Sequence, residues 1–285
     1  MNLLTLLKEG TEILKKEKIE NPHLEVELIL SHLMRIERYK IYTDRIEIPT
    51  QTYKRFLKLL EKRKKRIPLA YILKKITFYD SDFIIKKGIF IPRPETELLI
   101  NTTIKIYNKF LFPKKVKILD IGTGCGNISV ILAKNIKNCF ITSIDISKKA
   151  IEVAKKNAEL NDVTKKIKFL ISDVFSNIKD RFDVIVSNPP YISRHEYENL
   201  DREVKMEPKR ALIAGKDGLK IIKKILFESD FYLKEKGFLI IEIGYNQLNE
   251  IKKIIPSHLS LILIEKDLSN FDRILVFKKL KKVVK

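Results

Sequence analysis

The stretch that decides the fold is ILDIGTGCGN, residues 118–127. An apolar strand pattern runs directly into a turn with glycine at Gly122, Gly124 and Gly126, and a helical pattern follows. Glycine lets the backbone turn sharply and lets a ligand approach it closely. A G-x-G-x-G turn alone also fits a plain strand–helix connection or a dinucleotide site. It therefore predicts an α/β element with a candidate ligand loop.

The same alternation of strand and helix continues after this segment. Apolar runs predict strands at residues 116–121, 140–144, 167–171, 182–187, 238–243, 261–265 and 273–277. Helical patterns lie at residues 95–110, 127–136, 148–160, 219–232 and 247–254. This rhythm predicts a doubly wound, mostly parallel sheet. The last two strands leave little room for a helix between them, so we expect them to pair antiparallel.

Residues 1–75 carry helical patterns only. Apolar residues at helical spacing on the first helix are Leu3, Leu7 and Leu14. A second helix is expected to begin with Asn21 as its cap and to bury Leu24, Leu28 and Leu33, with Ile29 alongside. A third helix follows Pro49 and carries Tyr53, Phe56, Leu57 and Leu60. The simplest interpretation of these apolar stripes is the core of a small helical bundle.

A change of pattern separates the two halves of the chain. Residues 76–91 alternate apolar and aromatic residues with polar breaks, which predicts one or two short hairpins. We therefore expect three parts: a helical domain at 1–75, a hairpin linker at 76–95, and the α/β domain at 96–285.

The composition excludes several classes of protein. The 285 residues include two cysteines, Cys125 and Cys139, and four histidines in no metal-ligand spacing, so neither a disulfide framework nor a zinc site is expected. No apolar run approaches the roughly 18–20 residues of a membrane span. The first ten residues lack a basic leader with a cleavage site. A cytoplasmic location without membrane contact is expected.

The formal net charge is +21, which is typical of proteins that bind phosphate polymers. The lysines are, however, spread along the whole chain, which favours background composition over a dedicated nucleic-acid surface. The basic tail at residues 278–282 is expected to be solvated or frayed.

Two acids follow predicted strands. Asp145 ends the second strand, about 20 residues beyond the glycines, where a carboxylate can accept both ribose hydroxyls of an adenosine. Its alternative role is a cap for the helix that follows. Asp173 ends the next strand, beside Val174, where an adenine amino group could be read. These residues fit adenosyl binding but leave nicotinamide and S-adenosylmethionine chemistry both open.

The fourth strand ends in VSNPPYI, residues 186–192. The side-chain carbonyl of Asn188 and the backbone carbonyl of Pro189 are two acceptors, and Pro190 stiffens the segment that holds them. Together they can bind both hydrogens of a planar NH2 group, while Tyr191 can pack against its flat face. An amide nitrogen is a poor nucleophile, so orientation and electrostatics must supply most of its activation. The tetrapeptide Asn188–Tyr191 alone could be a turn at the end of a strand. Its position after the fourth strand of the α/β pattern predicts instead an enzyme that transfers a group to a nitrogen atom.

These motifs resemble the class I methyltransferases that act on exocyclic or amide nitrogen. More closely, the chain is similar to the release factor glutamine N(5)-methyltransferases. Further similar segments lie at residues 68–72 and 91–97, at Glu207-Pro208, Ala211-Leu212 and residues 217–219, and in the C-terminal part at residues 242–244, Gln247, Asp267 and Asp272-Arg273. The similarity therefore extends over nearly the full length, helical part included.

The resemblance implies a Rossmann-like α/β fold and S-adenosylmethionine as methyl donor, without a metal. It implies cofactor contacts at Gly122, Thr123, Gly124, Cys125, Gly126, Asp145, Asp173, Val174 and Asn188. It implies that the acceptor is bound and activated by Asn188, Pro189, Pro190 and Tyr191. The family often has an aromatic residue where this chain has Val174, so stacking on adenine is not expected here.

The same resemblance implies the glutamine of a Gly-Gly-Gln loop in a peptide-chain release factor as the acceptor. The helical domain and linker would then help to hold that protein, and no direct contact with nucleic acid is expected. Three other functions stay open: glutamine methylation of a ribosomal protein, adenine N(6)-methylation of DNA, and ribosome binding without catalysis. A DNA enzyme must extrude its base and usually needs a recognition domain, for which the small bundle is a poor candidate.

Overall fold

A computed structural model describes residues 2–44 and 46–281. They form two compact units that do not follow one simple cut in the sequence. The helical unit contains the described residues up to Lys75 together with Asp201–Met206. The sheet unit contains Ile76–Leu200 and the described residues from Glu207 onward.

The helical unit is built on α1 to α5. Their bounds are Leu3–Lys16, Pro22–Met34, Lys40–Thr43, Thr50–Lys64 and Leu69–Leu73. The side chain of Asn2 caps α1 by accepting a hydrogen bond from the Thr5 backbone N–H at 2.8 Å. The apolar stripe predicted on the first helix, Leu3, Leu7 and Leu14, is buried, and on α4 Phe56 and Leu60 are buried while Tyr53 and Leu57 are partly exposed.

Asn21 occupies the N-cap position of α2 as predicted, whereas the predicted burial of Leu24 was wrong. Asn21 adopts a left-handed conformation (φ 47°), and its side chain makes no cap hydrogen bond. Leu24 is 39% exposed, whereas Val26, Ile29 and Leu30 are fully buried. The reason is the contact with α1, where a Cβ on Gly10 would lie 2.9 Å from Val26 Cγ1. Because α1 and α2 approach so closely at Gly10, the face of α2 centred on Val26 is the buried one.

A buried arginine joins the distant segment 201–206 to the helical unit. Arg63 is 3% exposed, and its guanidinium donates to Glu25 at 2.5 Å and to Glu203 at 2.9 Å. Arg66 also pairs with Glu203, at 3.3 Å. Glu25 and Glu203 are far apart in the sequence. The triad that they form with Arg63 therefore connects residues 201–206 to α2 and α4.

The sheet unit contains a two-stranded hairpin and a seven-stranded sheet. The hairpin strands are β1 (Lys75–Phe78) and β2 (Ser81–Ile84). The sheet strands β3 to β9 cover Val116–Ile121, Cys139–Asp145, Ile167–Ile171, Phe182–Ser187, Leu233–Glu242, Leu259–Lys266 and Asp272–Lys279. Their order is β5-β4-β3-β6-β7-β9-β8, and β9 runs antiparallel to both its neighbours. The predicted mostly parallel sheet with an antiparallel last strand is confirmed.

Six α-helices of the described residues belong to the sheet unit. They are α6 to α11, with bounds Thr96–Ile106, Asn127–Asn135, Lys148–Leu160, Arg194–Glu198, Lys220–Tyr232 and Leu248–Lys252. Of these, α6, α7, α8 and α10 contact the strands of the sheet. A π-helical turn, Tyr107–Leu111, extends α6, and the short α9 was not predicted. In β3 every residue except Lys117 is buried, as is typical of a parallel strand covered on both faces.

The strand register aligns the first residues of three loops at the same edge of the sheet. In the central strand β3, Ile121 pairs with Ile144 on β4 and with Ser187 on β6. Gly122, Asp145 and Asn188 each follow directly after one of these paired residues. The carboxyl ends of the three strands therefore open into one crevice, the usual ligand site of open α/β sheets.

The prediction for the basic tail was wrong for Lys278 and Lys279, whereas Leu280 and Lys281 are exposed beyond the last strand as expected. Lys278 and Lys279 belong to β9, and Lys279 is 2% exposed. Its ammonium group donates to the carbonyl of Leu233 at 3.0 Å and pairs with Asp230 at 2.9 Å. It therefore binds the end of α10, where carbonyl groups lack helical partners. Lys282 lies outside the described residues.

Within residues 2–44 and 46–281, no helix is long and apolar enough to cross a membrane.

Replacing Arg63 with Met should lower the free energy of unfolding by about 2–4 kcal/mol, because two partly buried carboxylates lose their partner. Lys64→Met is the matched control: its pair with Glu61 is more exposed, and the expected change is below about 1 kcal/mol. Urea unfolding of both variants measures the difference. Equal stability of the two variants would contradict the importance of the triad.

Candidate active site

The glycine-rich loop after β3 needs its glycines for two different reasons. Gly122, Gly124 and Gly126 have φ values of 77°, 56° and 88°, in the region that residues with a Cβ rarely adopt. A Cβ on Gly126 would lie 3.0 Å from the Cβ of Ala154, so this glycine permits the packing of α7 on α8. A Cβ on Gly124 would meet no atom within 4 Å. The loop is therefore open to a ligand at Gly124.

Asp145 is joined to this loop by a direct hydrogen bond. Its Oδ2 accepts from the Gly124 backbone N–H at 3.0 Å, and its Oδ1 accepts from that of Ser147 at 2.8 Å. Ser147, not Asp145, caps α8 through Ala150. Burial raises the pKa of Asp145, and the two backbone donors oppose that rise. Each carboxylate oxygen keeps a lone pair, so Asp145 can still accept two hydroxyl groups.

The side chains of Thr123 and Cys125 point into the protein. Thr123 Oγ1 accepts from Ser143 Oγ at 2.7 Å. The backbone carbonyl of Cys125 accepts from Asn157 Nδ2 at 2.8 Å, and burial raises the pKa of the Cys125 thiol to about 12. A thiol with so high a pKa is not a nucleophile at neutral pH. These two residues contribute to the shape of the loop, and any ligand contact from them falls to their backbone.

A buried carboxylate lies under the loop. Asp120 is fully buried, and its Oδ2 accepts from Ser129 Oγ at 2.6 Å. Its Oδ1 has no hydrogen-bond partner among the described residues. Burial raises the pKa of Asp120 to about 6, although the nearby hydroxyls oppose the rise.

Asp173 and Val174 follow β5 and differ in exposure. The Asp173 side chain is 57% exposed and lies 3.5 Å from the ammonium of Lys224. Val174 is buried in the core with a φ of 51°, and its carbonyl accepts from Ser172 Oγ at 2.9 Å. The structure thus places Asp173 at the surface and the side chain of Val174 inside.

The acceptor loop, residues 188–191, lies beside the glycine loop. Ser187 Oγ donates to the backbone carbonyl of Ile121 at 2.8 Å. A Cβ on Gly122 would lie 4.0 Å from the backbone oxygen of Asn188. The two loops that the sequence identified independently are therefore in close proximity.

The Asn188 side chain is held by a chain of hydrogen bonds. Its Nδ2 donates to Thr96 Oγ1 at 2.8 Å, and Thr96 Oγ1 donates to Glu242 Oε2 at 2.8 Å. Thr96 and Glu242 are both buried. Since the amide nitrogen is used inside the protein, the carbonyl end of Asn188 is the one left to accept from a substrate.

The rest of the acceptor loop is fixed through its backbone. Gln247 Nε2 donates to the carbonyl of Tyr191 at 2.9 Å. A Cβ on Gly218 would lie 2.3 Å from that same carbonyl, so only glycine fits there. Burial raises the pKa of the Tyr191 phenol, which therefore stays neutral at physiological pH. In the same loop Pro189 is buried and Pro190 is half-buried.

Sequence reasoning assigned no role to four residues that hold these loops: Thr96, Asn157, Glu242 and Gln247. Thr96, Glu242 and Gln247 lie in segments that carried the family resemblance, which was the available signal. Asn157 bridges Ile84 of β2 to the carbonyl of Cys125, and no local pattern marks it.

No group of three or more histidine, cysteine or acidic residues in the described part of the chain could hold a metal ion.

Residues 94–216 match the family described as methyltransferase small domain, and residues 5–73 match the PrmC N-terminal domain. With the fold and the two adjacent loops, these matches define an S-adenosylmethionine-dependent methyltransferase. The release factor glutamine methyltransferase of Fusobacterium nucleatum is 39% identical over 97% of this chain and 78% of its own length. That of Aquifex aeolicus is 35% identical over 93% and 94%. The chain belongs to the release factor glutamine methyltransferase family.

Among solved structures, the ribosomal protein L11 methylase of Lactobacillus delbrueckii subsp. bulgaricus has a TM-score of 0.51. It covers 69% of this chain and 84% of its own length, at 20% identity. This likeness shows that the α/β fold is shared.

Replacing Asp145 with Asn should weaken S-adenosylmethionine binding about 10- to 100-fold, because hydrogen bonds to a charged group are worth ~1.5–3 kcal/mol. Isothermal titration calorimetry measures the dissociation constant directly. Asp180→Asn is the control, because Asp180 is exposed and pairs with Lys117 at the surface. Wild-type affinity in the Asp145 variant would remove this residue from the cofactor site.

Proposed function

We propose that this chain transfers the methyl group of S-adenosylmethionine to the side-chain amide nitrogen of the glutamine in the Gly-Gly-Gln loop of a peptide-chain release factor. The observation that carries the proposal is the arrangement of Asn188. Its nitrogen is engaged by Thr96, and its carbonyl end is left for an NH2 donor beside the glycine loop. The names of the relatives supply the identity of the acceptor protein.

The residues around the glycine loop fit the methyl donor. Open space at Gly124 and the lone pairs of Asp145 suit an adenosyl group with its ribose hydroxyls. We assign the remaining contacts to the backbone of residues 122–126, to Asp173 and Val174 near the adenine, and to Asn188. The bound donor supplies an electrophilic methyl group on a sulfonium, and no metal is needed for this chemistry.

Asn188 and Pro189 activate the acceptor by holding it. Their two carbonyl oxygens each accept one hydrogen of the glutamine NH2 group, which aims the nitrogen at the methyl group. Pro190 stiffens the segment, and Tyr191 packs against the planar amide. As the N–C bond forms the C–S bond breaks, and the sulfur keeps the electron pair. The nitrogen then loses a proton to water, because the neutral Tyr191 phenol is too weak a base to take it.

The same proposal assigns roles to the parts of the chain. Residues 1–75 and the linker at 76–95 hold the protein substrate, and residues 96–285 perform the transfer. We place the enzyme in the cytoplasm, where translation factors act, and assign no direct role to nucleic acid or membrane. The net charge of +21 then reflects the high lysine content of the whole chain and not a surface for nucleic acid.

Replacing Asn188 with Ala should lower kcat by about 10²- to 10³-fold, the usual effect of removing one preorganised polar group from a transition state. The dissociation constant for S-adenosylmethionine should stay within a few-fold of wild type, because Asp145 and the glycine loop are unchanged. Single-turnover kinetics and calorimetry give the two quantities. A nearly active variant would remove the catalytic role of Asn188.

The acceptor is tested with labelled S-adenosylmethionine offered in parallel to release factor, a variant factor with Gln replaced in its Gly-Gly-Gln loop, ribosomal proteins and duplex DNA. We expect label on the intact factor alone. Label on a ribosomal protein or on DNA would keep the nitrogen chemistry and overturn the acceptor. No label on any of them would favour a binding protein without catalysis.

A further inference from the structure

Thr96 and Glu242 form a buried chain of hydrogen bonds that ends on the side chain of the acceptor loop. Thr96 Oγ1 lies 2.8 Å from Glu242 Oε2 and 2.8 Å from Asn188 Nδ2. Both residues are 1% exposed, so water does not compete for these bonds. Burial raises the pKa of Glu242, and the hydrogen bonds from Thr96 and, to a smaller extent, Asn188 oppose that rise, as donors to a carboxylate do.

The chemistry of these groups fixes the direction of the chain. An ionised carboxylate can only accept, so the Thr96 hydroxyl must donate its single hydrogen to Glu242. The oxygen of Thr96 then has only lone pairs left, and it must be met by a donor. The amide nitrogen of Asn188 is that donor, so the side-chain carbonyl is turned away from Thr96.

We propose that Thr96 and Glu242 are positioning residues that set the orientation of the Asn188 amide, so that its oxygen and not its nitrogen faces the acceptor NH2 group. This inference deepens the proposed function and rests on it, since an NH2 acceptor needs an oxygen there. With Asn188 turned over, its own NH2 group would face that of the substrate, and two donors repel.

The orientation depends on the ionisation of Glu242, whose environment is mixed. Arg273 on β9 favours the charged form, whereas Glu95, just before α6, opposes it. The neutral phenol of Tyr191 is also near, and Glu242 Oε1 has no hydrogen-bond partner among the described residues. Burial dominates and raises the pKa of Glu242 to about 7.

Protonation reverses the chain. A protonated Glu242 can donate to Thr96, which then donates to Asn188 and binds its oxygen instead of its nitrogen. The correct orientation is therefore lost as the pH falls through the pKa of Glu242. We expect kcat to rise with pH and to level off above about 7.

The orientation is measured without any substrate by NMR of the Asn188 side-chain NH2 group, assigned by its disappearance in Asn188→Asp. In the wild type its two proton signals should titrate with a midpoint near 7, and in the isosteric Glu242→Gln variant they should not. The side-chain NH2 of Asn177, which donates to the backbone carbonyl of Ile171, is the internal control. An Asn188 signal that does not change across neutral pH in the wild type would overturn the proposal.

The kinetics of three variants distinguish a role of Thr96 and Glu242 in orienting Asn188 from a role in packing alone. Thr96→Val keeps the shape but not the hydroxyl, and we expect kcat about 10- to 100-fold lower, as is common for residues that orient a ligand group. Thr96→Ser keeps the hydroxyl and should stay within about threefold of wild type. Glu242→Gln should lose the acid limb of the pH profile, and all three should bind S-adenosylmethionine as the wild type does. Equal losses in Thr96→Ser and Thr96→Val would indicate packing alone and contradict the proposal.

The two proposals fail in different ways. If the wild type does not methylate release factor while the NMR titration is present, the acceptor is wrong and the positioning of Asn188 stands. If release factor is methylated while the Asn188 signals are independent of pH and of residue 242, the function stands and the positioning role is wrong.

Discussion

The parallel pairing of β3 with β4 and β6 is the constraint on which the site depends. Ile121 pairs with both Ile144 and Ser187, so the glycine loop, Asp145 and the acceptor loop leave the sheet at one level. A shift of one residue in either pairing would turn each loop start to the opposite face of the sheet. The nearly continuous burial of β3 holds the register, because its residues pack on both faces. The geometry of the candidate site is therefore a consequence of packing at the centre of the sheet.

The sequence predicted the location of those candidate site residues that directly follow a strand end. Asp145 and Asn188 were found because each follows an apolar run, and the alternation of strands and helices places such ends together. Thr96 and Glu242 could not be found in this way. Their hydrogen bond spans 146 positions, and nothing local to Thr96 distinguishes a helix start from a support of the acceptor loop.

The composition did not indicate which charged side chains are buried. Lys279 was expected in a solvated tail because it stands in a basic run, yet it is buried against the end of α10. Arg63 stands in another basic run and is buried between two acids. Asp120 and Glu242 are fully buried acids, each with one oxygen that has no partner within the described residues. Residue counts do not reveal ion-pair partners that are so distant in the sequence. A buried charge destabilises the fold unless it has such a partner.

The membership of residues 201–206 in the helical unit has a consequence for the order of folding. Glu203 lies 140 positions after Arg63 in the chain, so the pair closes a very long loop. During synthesis α1 to α5 leave the ribosome long before Glu203 does, and for that interval Arg63 has Glu25 but not Glu203. Domains generally fold as they emerge, N-terminal first, but this one cannot reach its final form until residue 206 is available. Most of the helical unit is therefore synthesised first, but its fold is completed only after residue 206 has been synthesised.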